Sequence, residues 1–458
     1  MQLSEDILKN HRKLSQRQEE FVRQVTADPE NLKRERYPGI DDKIGLAERV
    51  TIQPWPILVN ATTREEMSRA AVSVLELVKS IPQRIFADDP AKIAAGMGLD
   101  ERAVTFMLRG RNAIEHLVGR GDFIWTEQGL KCIEYNVAGN LGGWEGIRME
   151  IFYRKSPIFS QFLAEKSTGA KYYNTLLLSF GHIVANTRAR LGETDEINIG
   201  LAYPNAPRQQ GDIHSQFFNG AYAKMLASLP FPVKGRLFLT DPSHFEEKSG
   251  RLYFGDCPVH AMLEFATTST EAMVTCQEQG NLTIFNGPMT ALFNNKLTLA
   301  ILYQNKDSDL FDRRERELIE RYIPWSCQVR PGRIQFRGET VDLENLATAR
   351  RTSLILKTAE GHSAKGVFMG CNTPQDQWEE TLKKALAEGN WMMQEFVESL
   401  PFYFLAGEIC EPHILNWGLF AFGQKFGGGF ARMMPTHHEG PVTRFKSASE
   451  AMVFEVDK

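Results

Sequence analysis

Apolar residues recur at helical spacing over residues 64–80, where Met67, Ala71, Val74, Leu75 and Val78 share one face. The pattern predicts an amphipathic helix there. Similar spacing predicts helices over 101–119, 172–191, 213–228, 294–305, 313–322 and 375–388. Short apolar runs bounded by turn residues predict strands over 197–203, 236–240, 354–357 and 391–397. Residues 120–136 and 414–432 have the alternation of hairpins, the second carrying Gly427, Gly428 and Gly429. Residues 1 to about 50 are charged, with Ile7, Leu8 and Leu14 at helical intervals, and read as helices and a loop. Asp241-Pro242 and the 246–250 run read as loops. Strands interleaved with helices predict a mixed α/β (α+β) chain. No internal repeat is visible.

Composition narrows the classes. A chain of 458 residues has room for a substantial core and, at roughly 100–200 residues per domain, for two to four domains. Lys and Arg total 53 against 57 Asp and Glu, which argues against a nucleic-acid partner. The cysteines at 132, 257, 276, 327, 371 and 410 form no CxxC pair, so they read as reduced cytosolic thiols rather than disulfides or zinc ligands. The N-terminal residues lack a basic start followed by an apolar stretch, and the neighbourhood of Leu176, Leu177 and Leu178 is too short to span a bilayer. A cytoplasmic protein with no membrane partner is expected.

The most informative chemistry lies in Arg120-Gly121-Asp122 and Glu134-Tyr135-Asn136. A three-residue loop, Glu127-Gln128-Gly129, with Gly129 in the left-handed region, would place Asp122 opposite Glu134 and Arg120 opposite Asn136. Directly opposed residues share a face, so these four side chains meet. Phe123, Trp125, Ile133 and Tyr135 then fall on the other face. Two carboxylates and an amide oxygen are hard ligands suited to Mg²⁺, and opposed acids repel unless a cation sits between them. The same pattern also fits a solvated hairpin face with a surface Arg–Asp pair.

Lys357 ends an apolar strand just before a loop holding Glu360, Gly361 and Gly366, whose backbone N–H groups can turn toward phosphate oxygens. Lysine supplies a compact positive charge for the same purpose. Neither GxxxxGK[ST] nor a strand-linked GxGxxG occurs. Lys296 follows Asn294-Asn295 at a helix start. The 391–397 run, with Gln394 and Glu395 inside it and Val397 at its end, can offer an adenine an apolar slot and backbone edges. Arg432 follows the glycine run. Each of these features alone also fits an ordinary surface or core residue.

Their order resembles the glutathionylspermidine synthetase family, a circularly permuted branch of the ATP-grasp ligases. In that family an Arg, an Asp two residues on, and a Glu-x-Asn twelve residues beyond that Asp precede the nucleotide lysines; here these are Arg120, Asp122, Glu134 and Asn136. Asn295-Lys296, Leu356-Lys357 through Gly366, Met393-Gln394-Glu395 and the hairpin from Trp417 to Arg432 follow in the family's order. The resemblance covers 120–145 and 285–435. It implies an ATP-grasp fold with permuted motif order and nucleotide between two β-layers. It also implies four segments: an N-terminal helical region (1–119), the metal-ligand hairpin with connecting helices (120–192), an α/β substrate-side domain (193–284) and a nucleotide-binding lobe (285–458).

The activity so implied is ATP-dependent carboxylate–amine ligation through an acyl-phosphate, with ATP and one or two Mg²⁺ ions. Asp122, Glu134 and Asn136 would hold metal. Lys296, Lys357, Glu360, Gly361, Gly366, Gln394, Glu395, Val397 and Arg432 would bind ATP, and Arg120 would stabilise the oxyanion. Partners would be a small-molecule, peptide or carrier-protein-bound acid and an amine. The family's metal strand continues Ala-Asp-Thr-Pro-Thr, whereas this chain continues Val137-Ala138-Gly139-Asn140-Leu141-Gly142-Gly143-Trp144. The substrate hydroxyls are therefore missing, which points away from glutathione and spermidine. Gly139, Asn140, Gly142, Tyr203 and Asn205 are substrate-side candidates, with Arg208, His214, Gln216 and Asn219 as further polar ones. A non-catalytic nucleotide- or peptide-binding homologue and a kinase-like phosphotransferase share these features.

Overall fold

The 64–80 periodicity becomes a helix spanning Ala61–Phe86, with Met67, Ala71, Val74, Leu75 and Val78 all fully buried. Its start is capped by Asn60, whose side chain accepts the Thr63 N–H. A hydrogen bond of 2.9 Å from the Tyr135 hydroxyl to the Ala71 carbonyl ties this helix to the acidic hairpin. The computed structural model of the chain describes residues 3–28, 51–192, 194–208, 210–265, 268–361, 365–438, 440, 442 and 448–457. The expected loop within 29–50, and His362, Ser363 and Ala364 of the glycine loop, lie outside the described residues.

Three sheets position the site. The largest has nine strands among the described residues, and its main order runs from Thr51–Ile52 through Ser449–Val456, Lys425–Pro435, Ile409–Phe422 and Val118–Thr126 to Gly129–Val137. The acidic hairpin thus pairs with a strand that lies far along the chain. The second sheet is antiparallel, ordered Ser326–Gln328, Trp391–Glu395, Leu354–Thr358, Val367–Met369. The third is parallel, ordered Thr283–Phe285, Ala261–Glu264, Ile199–Ala202, Leu237–Thr240. Helices Thr175–Leu191 and Ile213–Leu226 supply part of the core on one side of it. Its strands are buried runs rather than alternating ones, as expected where both faces are covered.

Several expected elements change shape. The 101–119 helix stops at Arg109 and tightens to a 3₁₀ helix through His116, because Val118 already enters the central sheet. The 172–191 helix begins only at Thr175, with Asn174 capping it, since Ala170–Tyr172 is a strand beside Ser449–Val456. The 246–250 loop is instead the strand Glu246–Lys248 and a turn with positive φ at Ser249 and Gly250, leading into Arg251–Phe254. The 391–397 strand leaves its sheet after Glu395.

Candidate functional site

The hairpin register at the acids is the one expected: Asp122 pairs with Glu134 and Arg120 with Asn136. The turn is not. Thr126 pairs with Gly129, leaving a two-residue turn, and Gly129 keeps a positive φ of 101°. A bulge between Asp122 and Phe123 inserts Ile133 and restores the alignment beyond it. Ile133 is therefore turned to the cleft rather than to the packed face expected for it, while Phe123, Trp125 and Tyr135 are buried. The Ile133 carbonyl, beside this break in the ladder, accepts a 2.9 Å hydrogen bond from Lys357 Nζ.

All three sheets face one cleft of about 1670 Å³. Asp122, Glu134, Asn136, Asn416 and Arg432 line it from the central sheet. Ile355, Lys357, Val367 and Met369 line it from the antiparallel sheet, and Leu239 from the parallel sheet. Arg120 and Asp122 are buried, so the hairpin face is not a solvated surface. Arg120 grips Asp122 with two bonds, 2.6 Å from Nε to Oδ1 and 3.1 Å from Nη2 to Oδ2, and donates a third to the Leu141 carbonyl. Burial opposes the guanidinium charge, but Asp122, Glu134 and Glu450 together outweigh it and the Arg120 pKa stands above its ordinary value.

The lysines close around the second acid. Lys296 Nζ lies 3.2 Å from Glu134 Oε1 and donates to the Gly361 carbonyl at 2.7 Å. Lys357 Nζ donates to Gln394 Oε1 at 2.7 Å, and Gln394 Nε2 donates to Ser326 Oγ at 3.1 Å. Burial pulls the Lys357 pKa from 10.5 down to about 8, Glu134 opposes this and Lys296 adds to it. The asparagines before Lys296 are structural pins: Asn294 Oδ1 accepts the Val137 N–H and Asn295 Nδ2 donates to the Met97 carbonyl.

The other candidates divide. Glu360, Gly361 and Val397 line the cleft, as do Asn140, Gly142, Tyr203, Asn205 and His214. Gln394 is fully buried and holds Lys357, so it positions the lysine. Glu395 pairs with Arg337, and Gly366 gives its carbonyl to the Thr358 N–H. Gly139 is taken up by packing: its N–H donates to the Glu264 carbonyl at 2.7 Å, leaving no space for a Cβ. Asn219 and Gln216 bond backbone carbonyls, and Arg208 faces Glu246. Arg432 donates to the buried carboxylate of Glu450 at 3.0 Å.

Among the residues at the site that were not foreseen are Asn416, Glu145 and Gly418. Asn416 sits opposite Arg432, and its buried Oδ1 has no hydrogen-bond partner among the described residues. Its signal was a polar residue inside the apolar run Ile414-Leu415-Asn416-Trp417. Glu145, also buried in the cleft wall, carried no pattern signal. Gly418 pairs with Asp122, and a Cβ there would lie 2.7 Å from the Phe430 ring and 3.1 Å from Arg120 Cδ, so its small size leaves room for both side chains.

The site's fit to Mg²⁺ rests on its oxygen donors. Among the described residues no group of three or more His, Cys, Asp and Glu side chains is placed to hold a metal. Asp122 and Glu134 supply two carboxylates whose present partners are cations. Asn136 Nδ2 is buried without a partner; an amide flip puts the oxygen there. This set suits a hard divalent cation. No helix of the described residues is long and apolar enough to cross a membrane.

No family model matches the chain, and no curated protein matches it. Among solved structures it is similar to a glutathione synthetase-like effector (GSS30) from Globodera pallida in its apo form, with a TM-score of 0.57, 10% identity, and coverage of 89% of this chain and 90% of that one. A putative gamma-glutamylcysteine synthetase from Methylobacillus flagellatus KT aligns with a TM-score of 0.39 at 10% identity, over 84% of this chain and 88% of that one. The chain therefore has a glutathione-synthetase-like, ATP-grasp-type fold.

Proposed function

We propose that this chain is an ATP-dependent carboxylate–amine ligase of circularly permuted, glutathionylspermidine synthetase-like type. One observation carries the reading: Asp122, Glu134 and Lys357, from segments far apart in the chain, line one cleft between β-layers, and Lys296 meets Glu134 there at 3.2 Å. Buried charges are costly, and a core gains nothing from such a cluster without a ligand to meet it. Support for permutation comes from the hairpin's place early in the chain, beside the late strand Ile409–Phe422.

In this reading ATP lies between the antiparallel and central sheets. The backbone near Val397 meets the adenine edge, and Lys296, Lys357 and the Glu360–Gly361 backbone hold the phosphates. Asp122, Glu134 and Asn136 would hold Mg²⁺, which when bound neutralises phosphate charge. Gln394 and the Ile133 carbonyl hold Lys357 in place before nucleotide arrives, limiting reorganisation on binding. A substrate carboxylate oxygen attacks the γ-phosphorus and ADP leaves, giving an acyl-phosphate. The amine then attacks the acyl carbon, loses a proton and expels phosphate, forming the amide. Arg120 faces the developing oxyanion, and Asp122 keeps its guanidinium oriented.

The test is product identification. An amide formed with one ADP and one phosphate per bond supports ligation. A phosphorylated acceptor with no amine incorporated refutes it in favour of phosphotransfer, and nucleotide binding without product favours a non-catalytic homologue.

A further inference from the structure

Behind the cleft lies a chain of hydrogen bonds that the chemistry above uses only at its end. Ser326, Gln394 and Ile355 sit side by side on the adjacent strands Ser326–Gln328, Trp391–Glu395 and Leu354–Thr358. Directly opposed residues share a face, and Lys357, two residues beyond Ile355, falls on the same one. Ser326 and Gln394 are fully buried, and neither lines the cleft. Ser326 Oγ donates to the Pro324 carbonyl at 2.9 Å and accepts from Gln394 Nε2 at 3.1 Å. Gln394 Oε1 in turn accepts from Lys357 Nζ at 2.7 Å. Lys357 then crosses to the central sheet, donating to the Ile133 carbonyl at 2.9 Å.

The direction of this chain is fixed at Ser326. A hydroxyl has one proton, and here the Pro324 carbonyl takes it. What Ser326 then offers Gln394 is a lone pair, which only the amide nitrogen can use. The amide oxygen is thereby turned to Lys357. The reversed amide would set its N–H groups against an ammonium, donor against donor, and leave both without an acceptor. The two ends of an amide have nearly the same shape, so packing alone does not choose between them. An ammonium has three protons. Gln394 and Ile133 take two, and the third is left for the cleft that Lys357 lines.

Resting on the ligase reading for the identity of the ligand, we infer that Ser326 is a positioning residue of the nucleotide site. It sets which end of the Gln394 amide meets Lys357, and so aims the remaining N–H of the ammonium at phosphate. Ser326 touches neither nucleotide nor substrate in this account and acts wholly through Gln394.

The experiment is calorimetric titration of the full chain with a non-hydrolysable ATP analogue and Mg²⁺. Ser326→Ala is expected to weaken binding about fivefold or more, and Ser326→Thr, which keeps the hydroxyl, to stay within about twofold of the wild type. Ser326→Cys fills similar space with a poor acceptor and should follow Ser326→Ala, which decides the matter if the alanine variant does not fold. In a Gln394→Met background there is no amide to orient, so adding Ser326→Ala should cost less than about twofold. Unchanged binding in Ser326→Ala and Ser326→Cys overturns the inference. So does a loss in the Gln394→Met background as large as in the wild type, which would make Ser326 a general support of its strand. A second readout needs no nucleotide. With ¹⁵N-labelled glutamine, the Gln394 side-chain amide is the signal lost in Gln394→Met, and its hydrogen exchange should be at least about tenfold faster in Ser326→Ala than in the wild type. Equal exchange overturns the inference. Absence of nucleotide binding by the wild type refutes the ligase reading, and the amide signal still decides whether Ser326 holds Gln394.

Discussion

Lys357→Met isolates the buried charge at the centre of the site. In the folded chain Lys357 is held by Gln394 Oε1 at 2.7 Å and the Ile133 carbonyl at 2.9 Å, and its pKa is drawn from 10.5 to about 8, chiefly by burial. That shift corresponds to about 3 kcal/mol of cost in keeping the ammonium buried below pH 8. Between about pH 8 and 10.5 the unfolded chain binds the extra proton, so stability rises with pH by about 1.4 kcal/mol per unit across that window. Methionine removes this dependence. At neutral pH it also removes the burial cost but leaves two acceptors without their donor, at about 1–2 kcal/mol each, so the two proteins should be within about 1–2 kcal/mol there. Urea unfolding of both proteins at several pH values across the window gives the comparison. The wild type should gain on the variant as pH rises, and its ATP affinity should fall above about pH 8 while the weaker affinity of the variant stays flat. A stability difference that does not change with pH would refute the buried-ammonium account.

Other consequences follow from named contacts. Gly139→Ala would drive a Cβ into the Glu264 carbonyl oxygen, so urea unfolding should show a loss of about 1–3 kcal/mol from the backbone shift it forces. Burial raises the Glu264 carboxyl to about 7, against the opposing Ser269 hydrogen bond. The folded chain therefore holds that proton longer, stability falls as pH rises from about 4.5 to 7, and Glu264→Gln should stabilise by about 2–3 kcal/mol above that window and by little below it. Asn136→Ala should raise the Mg²⁺ concentration for half-maximal ADP release at least about tenfold, measured at saturating ATP.

The site was legible where chemistry and strand period coincide. Asp122, Glu134, Arg120 and Asn136 could be placed on one face because strand alternation and a short turn nearly determine register. The turn itself was read one residue too long, and the bulge at Ile133 compensates for that difference. A bulge leaves no residue pattern of its own, so the carbonyl that Lys357 uses could not be foreseen. Lys296 and Lys357 were legible as cations but not as neighbours of Glu134, since nothing local encodes a contact across more than a hundred residues. The strand Ser449–Val456, which pairs with four others in the central sheet, was missed for the same reason. The pairing of Glu395 with Arg337 could not be read locally either, since the two lie on separate segments.

The most direct test of the central claim is Mg²⁺-dependent ADP release across a panel of acids and amines, with Glu134→Gln as the paired control. Glu134 is 30% exposed at its side chain and meets Lys296 at 3.2 Å, so the amide should leave the fold intact. The account predicts ADP release that needs both an acid and an amine in the wild type and is abolished in the variant. Normal turnover in the folded Glu134→Gln protein would contradict it.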